Sequence, residues 1–415
     1  MKRVVITGLG AITPIGNNVK DYWENLLKGK SGANKITRFD SSKFKTQFAC
    51  EIKDYNPLDF FDRKEARKLD RFSQYGLISA EEAIKDAKLD FSKLDTNRIG
   101  VIFSSGIGGF ETFESEIKSY TNNNFNPRFN PFFISKIISN GLSGQISINY
   151  GLRGVNYCPV TACASSTQSL IQAFNYIKLN KADIIITGGS EAPITEASIG
   201  GFNAMKAMST NNENYSSASK PFDANRDGFV VGEGAGALII ESLDSAIKRN
   251  ANIYAEIVGG GESSDAYHIT GTHPDGLGAY LAMENSLKEA IIAPEEIDYI
   301  NAHATSTGIG DISEIKAIEK LFKNNISTIQ INATKSMTGH LLGGTGAIEA
   351  IATCLSVNTN LIPPTINTTE VDKNISPKLN LSLGKKSSKI ITHALSNSFG
   401  FGGHCAAILL KKYKE

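Results

Sequence analysis

The feature that most constrains this fold is the alternation of short apolar runs with longer helical patterns along the chain. The apolar runs are rich in β-branched residues and often bounded by Gly or Ser, as buried strands are. They are residues 4–7, 101–104, 184–187, 238–241 and 253–258. Between them, helical spacing of apolar residues is found over 21–27, 74–87, 165–179 and 277–290. This alternation predicts an α/β fold with a largely buried sheet.

A glycine-rich loop followed by an apolar strand occurs twice, at residues 228–240 and 398–410. Such a repeat is typical of a duplicated α/β unit, although glycine before a strand is also commonplace. The 415 residues, 41% of them hydrophobic, suffice for one large core or two smaller ones. Because no long low-complexity linker interrupts the chain, we expect two tightly packed halves, at 1–250 and 251–415.

Charge and cysteine content exclude several classes of protein. The formal net charge of +1 gives no global field for nucleic acid or an anionic membrane. The five scattered cysteines show no spacing typical of a zinc site, and a reducing compartment is the simpler interpretation. The apolar run after the first residues is too short for a signal peptide or a membrane span. We therefore expect a cytoplasmic protein that binds neither nucleic acid nor membrane.

Cys163 is the candidate nucleophile. It lies where an extended, Pro-containing stretch, residues 155–160, runs through small residues into a predicted helix. The unpaired N–H groups and positive dipole of a helix N-terminus favour a thiolate, so we expect a lowered pKa for this thiol. Most free cysteines are buried structural residues instead. Cys50, Cys158 and Cys354 have no comparable setting, and we interpret them as structural.

Two of the six histidines lie in settings that suit catalysis. His303 ends a predicted strand, and catalytic groups gather at the carboxyl ends of strands in α/β sheets. His340 follows Lys335 in a loop before a glycine-rich helix start. A single histidine is more often a satisfied core residue than a catalyst. As a set with Cys163, however, a histidine can donate a hydrogen bond to an oxyanion, and a lysine supplies a fixed positive charge.

Six motifs then occur in one order along the chain. They are residues 4–10 with 13–16, Thr161-Ala162-Cys163, 221–223 with 226–229, Asn301-Ala302-His303, 334–336 with Gly339-His340, and 397–403. With these motifs the chain resembles, over essentially its full length, the elongating β-ketoacyl-acyl-carrier-protein synthases of dissociated (type II) fatty acid synthesis.

The resemblance implies a thiolase-like fold, with two similar α/β halves in five αβαβα layers, and a homodimer. We expect no cofactor and no metal at the site. Cys163 would accept the acyl chain from acyl carrier protein (ACP), with the N–H groups of Cys163 and Phe401 as the oxyanion hole. His303 and His340 would stabilise the enolate formed as malonyl-ACP loses carbon dioxide, and Lys335 would support these groups. The implied reaction is a decarboxylating Claisen condensation that gives 3-oxoacyl-ACP, carbon dioxide and free ACP.

The resemblance also assigns the path of the ligand. Ile107, Ile134 and Phe401 would form the acyl pocket, with Phe401 as a gate between glycines. The threonines that would contact the amides of the pantetheine arm are Thr270, Thr305 and Thr307. The basic residues on which an acidic ACP would dock are Lys64, Arg67, Lys68, Arg128 and Lys206. A run of charge is also typical of a solvated helix face.

Other functions fit less well. A dinucleotide-binding motif begins at Gly8 but fails at Thr13, and the hydrolase-like segment around Ser190 lacks its last glycine. Within the family, His340 argues against the initiating synthases, and Cys163 against an acyl-chain-length factor. A ketosynthase of a type II polyketide or related pathway stays open as the alternative, as does a carrier-protein-binding scaffold without chemistry.

Overall fold

A computed structural model of the protein describes residues 1–414. The strands are β1 (Val4–Ile12), β2 (Asn34–Lys35), β3 (Phe48–Ala49), β4 (Ile99–Ser104), β5 (Asn156–Tyr157), β6 (Ile184–Glu191), β7 (Gly234–Ser242), β8 (Ala255–Ser264), β9 (Tyr299–Asn301), β10 (Gln330–Asn332), β11 (Leu361–Ile362), β12 (Asn380–Leu381), β13 (Ser387–Ser388), β14 (His393–Gly400) and β15 (His404–Lys411). Every strand predicted from the sequence overlaps one of these.

The α-helices are α1 (Val19–Lys28), α2 (Arg63–Lys68), α3 (Arg71–Asp86), α4 (Phe110–Asn122), α5 (Phe133–Ile137), α6 (Gly141–Tyr150), α7 (Ser165–Lys178), α8 (Glu196–Ala204), α9 (Leu243–Lys248), α10 (Leu277–Ala290), α11 (Gly308–Phe322), α12 (Lys335–Thr338) and α13 (Thr345–Thr359). Short 3-10 turns are formed by Pro57–Asp59, Phe91–Lys93, Thr96–Arg98, Ala162–Ala164, Tyr215–Ser217, Pro294–Glu296 and Leu342–Gly344.

The main sheet has the strand order β12-β10-β9-β14-β15-β8-β1-β7-β6-β4-β5. From β1 outward, the pairings are antiparallel to β7 and β6 and then parallel to β4 and β5. From β8 outward the same sequence of pairings recurs through β15, β14, β9 and β10. The two half-sheets meet through a short antiparallel contact of β1 with β8, from Val4 opposite Ile257 to Ile6 opposite Ala255.

Helices complete a five-layered arrangement. α7 and α13 pack against each other and against strands of both half-sheets, so they form the central layer. α3 covers the outer face of β1 and β7, and α10 covers the outer face of β8 and β15. Every residue of α13 from Thr345 to Val357 is buried, as expected for a helix enclosed between two sheets. This is the layer order that the resemblance implies.

The two glycine-rich loops precede β7 and β15, which hold equivalent places beside β1 and β8. The boundary expected near residue 250 stays a prediction; in the structure it lies in the loop between α9 and β8. Across residues 1–414, no helix combines the length and apolar character needed to cross a membrane.

Candidate active site

A cavity of about 580 Å³ opens between the two halves, a volume typical of small-molecule sites. It is lined by four of the predicted catalytic residues, Cys163, His303, His340 and Phe401. Cys163 comes from the N-terminal half, and the other three come from the C-terminal half. The fold therefore brings together groups that are far apart in sequence.

Cys163 lies in the turn Ala162–Ala164, directly before α7, and is 8% exposed. Ala162 has a φ of 50°, which turns the chain sharply and directs Cys163 into the cavity. The backbone N–H groups of Cys163 itself and of Phe401 are directed at the sulfur. Two amides at this point form the kind of cradle that an oxyanion hole requires.

The expectation of a lowered thiol pKa is wrong. Burial raises the pKa of Cys163 to about 12, and this outweighs the lowering by the positive charge of Lys335 and by the two N–H groups. The negative charge of Glu191 acts in the same direction as burial. Desolvation wins because nearly all water is excluded from the sulfur. The thiol of Cys163 is therefore neutral at pH 7.

His303 follows β9, and His340 follows α12; their ring centroids are 5.3 Å apart, edge to face. Nδ1 of His340 is 2.9 Å from the hydroxyl of Thr345. Nδ1 of His303 is buried and has no hydrogen-bond partner among residues 1–414. Nε2 is thus the nitrogen of each ring that is free to meet a ligand.

Both imidazoles are neutral at pH 7. Burial, followed by the charge of Lys335, holds the pKa of each ring well below its usual 6.5, and His340 adds to the effect on His303. A neutral imidazole carries a single N–H. Each histidine can therefore donate one hydrogen bond to an oxygen in the cavity, and neither starts the reaction as a cation.

Lys335 lies behind the histidines rather than in the cavity wall. Its side chain is buried, and Nζ donates to both carboxylate oxygens of Glu349, at 2.7 and 2.9 Å. Burial raises the pKa of Glu349 to about 7 although Lys335 lowers it. An amine held in this way is a poor nucleophile, which agrees with the predicted supporting role of Lys335.

Buried glutamates are the part of the site that sequence reasoning missed. Glu314 accepts hydrogen bonds from the N–H groups of His303 and Ala304, at 2.9 and 2.8 Å, and from the side chain of Asn397 at 3.0 Å. It therefore fixes the backbone that carries His303. The available signal was an acidic residue within the apolar face of a helix: Glu314 in α11 and Glu349 in α13 both interrupt such faces.

The glycine-rich loop brings Phe401 close to the nucleophile. A side chain at Gly400 would place its Cβ 2.9 Å from the nitrogen of Cys163, so the close approach requires glycine. Gly402 and Gly403 have φ values of 86° and 77°, in the left-handed region. These conformations agree with a loop that can swing, and the gating role of Phe401 stays a prediction.

The remaining predicted ligand contacts are placed unequally. Ile107 and the three threonines line the cavity, and the hydroxyl oxygens of Thr305 and Thr307 are 3.0 Å apart. Ile134 does not line it: this residue lies on α5, 62% exposed, because its side chain points outward from the fold. The prediction that Ile134 forms part of the acyl pocket is not met within the chain.

The basic candidates lie on three separate elements. Lys64, Arg67 and Lys68 are exposed on α2, Arg128 is exposed between α4 and α5, and Lys206 is exposed where it lines the cavity. Cys405 also lines the cavity, but burial raises the pKa of its thiol strongly. That environment agrees with a structural role for Cys405.

Comparison with known proteins assigns the family. Models of the N-terminal and C-terminal domains of beta-ketoacyl synthases match residues 1–246 and 254–369. The chain belongs to the beta-ketoacyl synthase family. It is 48% identical, over all of its length, to 3-oxoacyl-acyl-carrier-protein synthase 2 of Staphylococcus aureus (strain COL), covering 99% of that relative. The corresponding enzyme of a Synechocystis strain is 45% identical over the same extent.

Solved structures of this family share the fold. A beta-ketoacyl synthase from Burkholderia phymatum superposes with a TM-score of 0.92 at 30% identity, over the full length of both chains. A type II polyketide ketosynthase solved in complex with its acyl-carrier protein gives 0.92 at 33% identity, again over both full lengths. The predicted family and thiolase-like fold are thus confirmed.

Proposed function

We propose that this synthase condenses acyl-ACP with malonyl-ACP to give 3-oxoacyl-ACP, carbon dioxide and free ACP, as in type II fatty acid elongation. The observation that carries this proposal is one cavity that holds a thiol with two amides directed at it and two neutral histidines. An acyl group needs the first set, and a decarboxylating malonyl group needs the second. The 45–48% identity to 3-oxoacyl-acyl-carrier-protein synthases 2 supports the same reaction.

In the first half-reaction the sulfur of Cys163 attacks the carbonyl carbon of acyl-ACP. The oxygen of the tetrahedral intermediate accepts hydrogen bonds from the N–H groups of Cys163 and Phe401. The bond to the pantetheine sulfur then breaks, and that sulfur takes up the proton lost by the Cys163 thiol. Free ACP leaves, and the acyl chain stays on Cys163 as a thioester.

In the second half-reaction malonyl-ACP binds where the pantetheine of the first ACP was bound. As its carboxylate leaves as carbon dioxide, the electrons pass to the thioester carbonyl, whose oxygen accepts hydrogen bonds from His303 and His340. The resulting carbanion attacks the acyl group on Cys163, and the carbon–carbon bond forms as the bond to sulfur breaks. The Cys163 thiolate regains a proton from solvent, and 3-oxoacyl-ACP is released.

The cavity suits both parts of the substrate. Thr305, Thr307 and Thr270 would pair with the pantetheine amides, since hydroxyls both donate and accept hydrogen bonds. Ile107 would contact the acyl chain, and Phe401 would open and close access to it. Two substrates visiting one site in turn predict ping-pong kinetics.

Docking of ACP is proposed on the exposed basic residues, with α2 as the principal contact. Reversing Lys64 and Lys68 to Glu should raise the KM for acyl-ACP about tenfold and leave the KM for acyl-pantetheine unchanged, because only the carrier contacts α2. The matched control is the double reversal of Lys385 and Lys386, exposed lysines in the segment before β13. An unchanged KM in the α2 variant would remove the docking role.

A homodimer is also proposed, and the structure suggests its surface. β5 is one of the two edge strands of the main sheet and can pair with another strand. Exposed apolar side chains also crowd α4, α5 and the segment between them: Phe113, Ile117, Phe125, Phe129, Phe132 and Ile134. An apolar patch of this kind typically marks an interface.

The dimer surface can be tested by light scattering coupled to size exclusion. The pair Phe129→Glu and Ile134→Glu should give a monomer, since two charges would be buried in the interface. Ile291→Glu, a change at a 92% exposed apolar residue beyond α10, is the matched control and should leave the dimer intact. A monomeric unmodified protein would contradict the proposal.

A polyketide ketosynthase is the second candidate, supported by the full-length structural similarity to the type II polyketide ketosynthase at 33% identity. The higher identity of the fatty acid enzymes favours the first candidate. Supplying acyl-ACPs from four to sixteen carbons with malonyl-ACP separates the two. We expect a single condensation for each acyl chain; repeated condensation into poly-β-keto products would support the polyketide function.

A further inference from the structure

Glu191 is a buried carboxylate that the mechanism above does not use. It is the last residue of β6, and its side chain is fully buried. It lies between two turns from different halves of the molecule. One is the segment 105–108 after β4, which carries Ile107; the other is Leu342–Gly344, which follows His340.

Four donors converge on this carboxylate. Oε1 accepts the hydroxyl of Ser105 at 2.7 Å and the N–H of Ile107 at 3.2 Å. Oε2 accepts the N–H of Gly106 at 2.7 Å and that of Gly343 at 3.0 Å. Both oxygens are thus saturated, and each binds the 105–108 segment.

The two turns have no room to move closer or to hold side chains. A Cβ at Gly106 would lie 2.8 Å from Oε2 of Glu191, and one at Gly343 would lie 2.6 Å from the same oxygen. The Cβ at Gly343 would also be 2.3 Å from the nitrogen of Gly106. The carboxylate therefore sets the separation of two backbone segments in direct contact.

Both segments form the wall of the cavity. Gly106, Ile107 and Leu342 line it, while Glu191 lies behind them. A shift of the 105–108 segment would change the space in the cavity without removing a group from the thiol, the histidines or Lys335. The hydrogen bonds of Glu191 therefore hold the part of the wall that carries Ile107.

We propose that Glu191 is a positioning residue that fixes the width of the acyl pocket by holding the Ile107 segment against the Leu342–Gly344 turn. This inference rests on the proposed function, because it assigns an acyl chain to the cavity. It assigns to Glu191 the selection among acyl chain lengths rather than a step in bond formation. A long acyl chain would contact more of the wall than a short one, so we expect long chains to depend on the wall more.

Glu191→Gln is the sharpest test because it preserves the size of the side chain. Whichever oxygen becomes an NH2 group, it faces at least one backbone N–H, and two donors cannot bond to each other. We expect the ratio of Cys163 acylation rates for hexadecanoyl-ACP over butanoyl-ACP to fall about tenfold or more. Malonyl-ACP decarboxylation, which needs no acyl chain, should change less than about threefold.

Ser105→Ala is the second variant, chosen in case Glu191→Gln does not fold. It removes one donor and leaves the three N–H donors, so the same ratio should fall by about two- to threefold. Glu241→Gln is the matched control: Glu241 is also buried, on the neighbouring strand β7, but pairs with Arg249 away from the cavity. It should lower the thermal midpoint without changing the ratio.

The outcomes separate the inference from the proposed function. An unmodified protein that loads no acyl chain of any length would refute the function itself. If the unmodified protein does accept acyl chains, an unchanged ratio of acylation rates in both Glu191→Gln and Ser105→Ala would overturn the role of Glu191. So would an equal loss of acylation at all chain lengths together with decarboxylation, since that pattern indicates a general structural role.

Discussion

The turn that carries Cys163 has a counterpart in the other half of the molecule. Ala162–Ala164 leads into α7, and Leu342–Gly344 leads into α13, the two helices of the central layer. The residue before the middle position has a left-handed φ in each turn, 50° at Ala162 and 48° at Leu342. In the middle position, Cys163 of one turn corresponds to Gly343 of the other.

The difference between the turns lies in what occupies the space in front of them. At Cys163 the space is open cavity, and a side chain can act there. At Gly343 a side chain would collide with the backbone of Gly106, and the N–H is bound to Glu191 instead. The same turn conformation therefore presents the nucleophile in the first half of the molecule and supports the cavity wall in the second half.

The largest expected effect comes from removing a group that only the C-terminal half supplies. His340→Ala should lower malonyl-ACP decarboxylation by roughly 10²–10³-fold, because one of two donors to the enolate oxygen is lost. Acylation of Cys163 should fall by less than about tenfold, since its oxyanion is held by backbone amides. Single-turnover assays with radiolabelled malonyl- and acyl-ACP measure the two steps separately.

His393→Ala is the control for this change, because His393 is also largely buried but lies on β14 away from the cavity. It should leave both steps unchanged. If His340→Ala lowered both half-reactions equally, the division of labour between the two halves would be wrong.

The next effect sharpens the account of the nucleophile itself. Since burial raises the pKa of Cys163 to about 12, alkylation by iodoacetamide should accelerate about tenfold for each pH unit between pH 7 and 9. The rate rises with pH because the thiolate is the reactive form, and below the pKa of the thiol the thiolate fraction grows about tenfold for each pH unit. Mass spectrometry of the Cys163 peptide gives the rate. An alkylation rate that reaches a plateau below pH 8.5 would contradict the raised pKa and support the lowered pKa expected at a helix N-terminus.

A smaller effect tests the space at the counterpart turn. Gly343→Ala should lower the free energy of unfolding by about 1–3 kcal/mol, because its Cβ has no room. Gly144→Ala is the control: nothing lies within 4 Å of a Cβ there, inside α6, and alanine should stabilise the helix by up to about 1 kcal/mol. Chemical denaturation measures both. Equal stability of the two variants would contradict the close packing.

The smallest effect concerns the residue with a left-handed φ that begins each turn. Ala162→Gly relieves a conformation that costs an L-residue about 1–2 kcal/mol but adds freedom to the unfolded chain. The net change in unfolding free energy should therefore stay within about 1 kcal/mol, and Cys163 acylation should persist. Loss of acylation with unchanged stability would show that Ala162 does more than shape the turn.

How much could be predicted from the sequence depended on whether the signal was local. Strands such as 184–187 and helices such as 165–179 were predictable because burial imposes a periodic pattern on neighbouring residues. Cys163 and His303 were found because their motifs are contiguous. The pairing of β1 with β8, which joins the half-sheets, left no such local signal.

Long-range environment could not be predicted in the same way. The pKa of Cys163 depends on how much water the opposite half excludes, which no neighbouring residue reveals. The roles of Glu191 and Glu314 depend on backbone donors from other elements. Ile134 was expected at the pocket from the family resemblance, but the direction of its side chain depends on how α5 lies on the surface.

The most direct test of the central claim is a two-step acylation experiment followed by peptide mass spectrometry. After incubation with hexadecanoyl-ACP alone, one acyl group should be found on Cys163. Addition of malonyl-ACP should remove it and yield the 3-oxoacyl product, and Cys163→Ala should do neither. Product formation by Cys163→Ala, or an acyl group on another residue that is chased into product, would contradict the account.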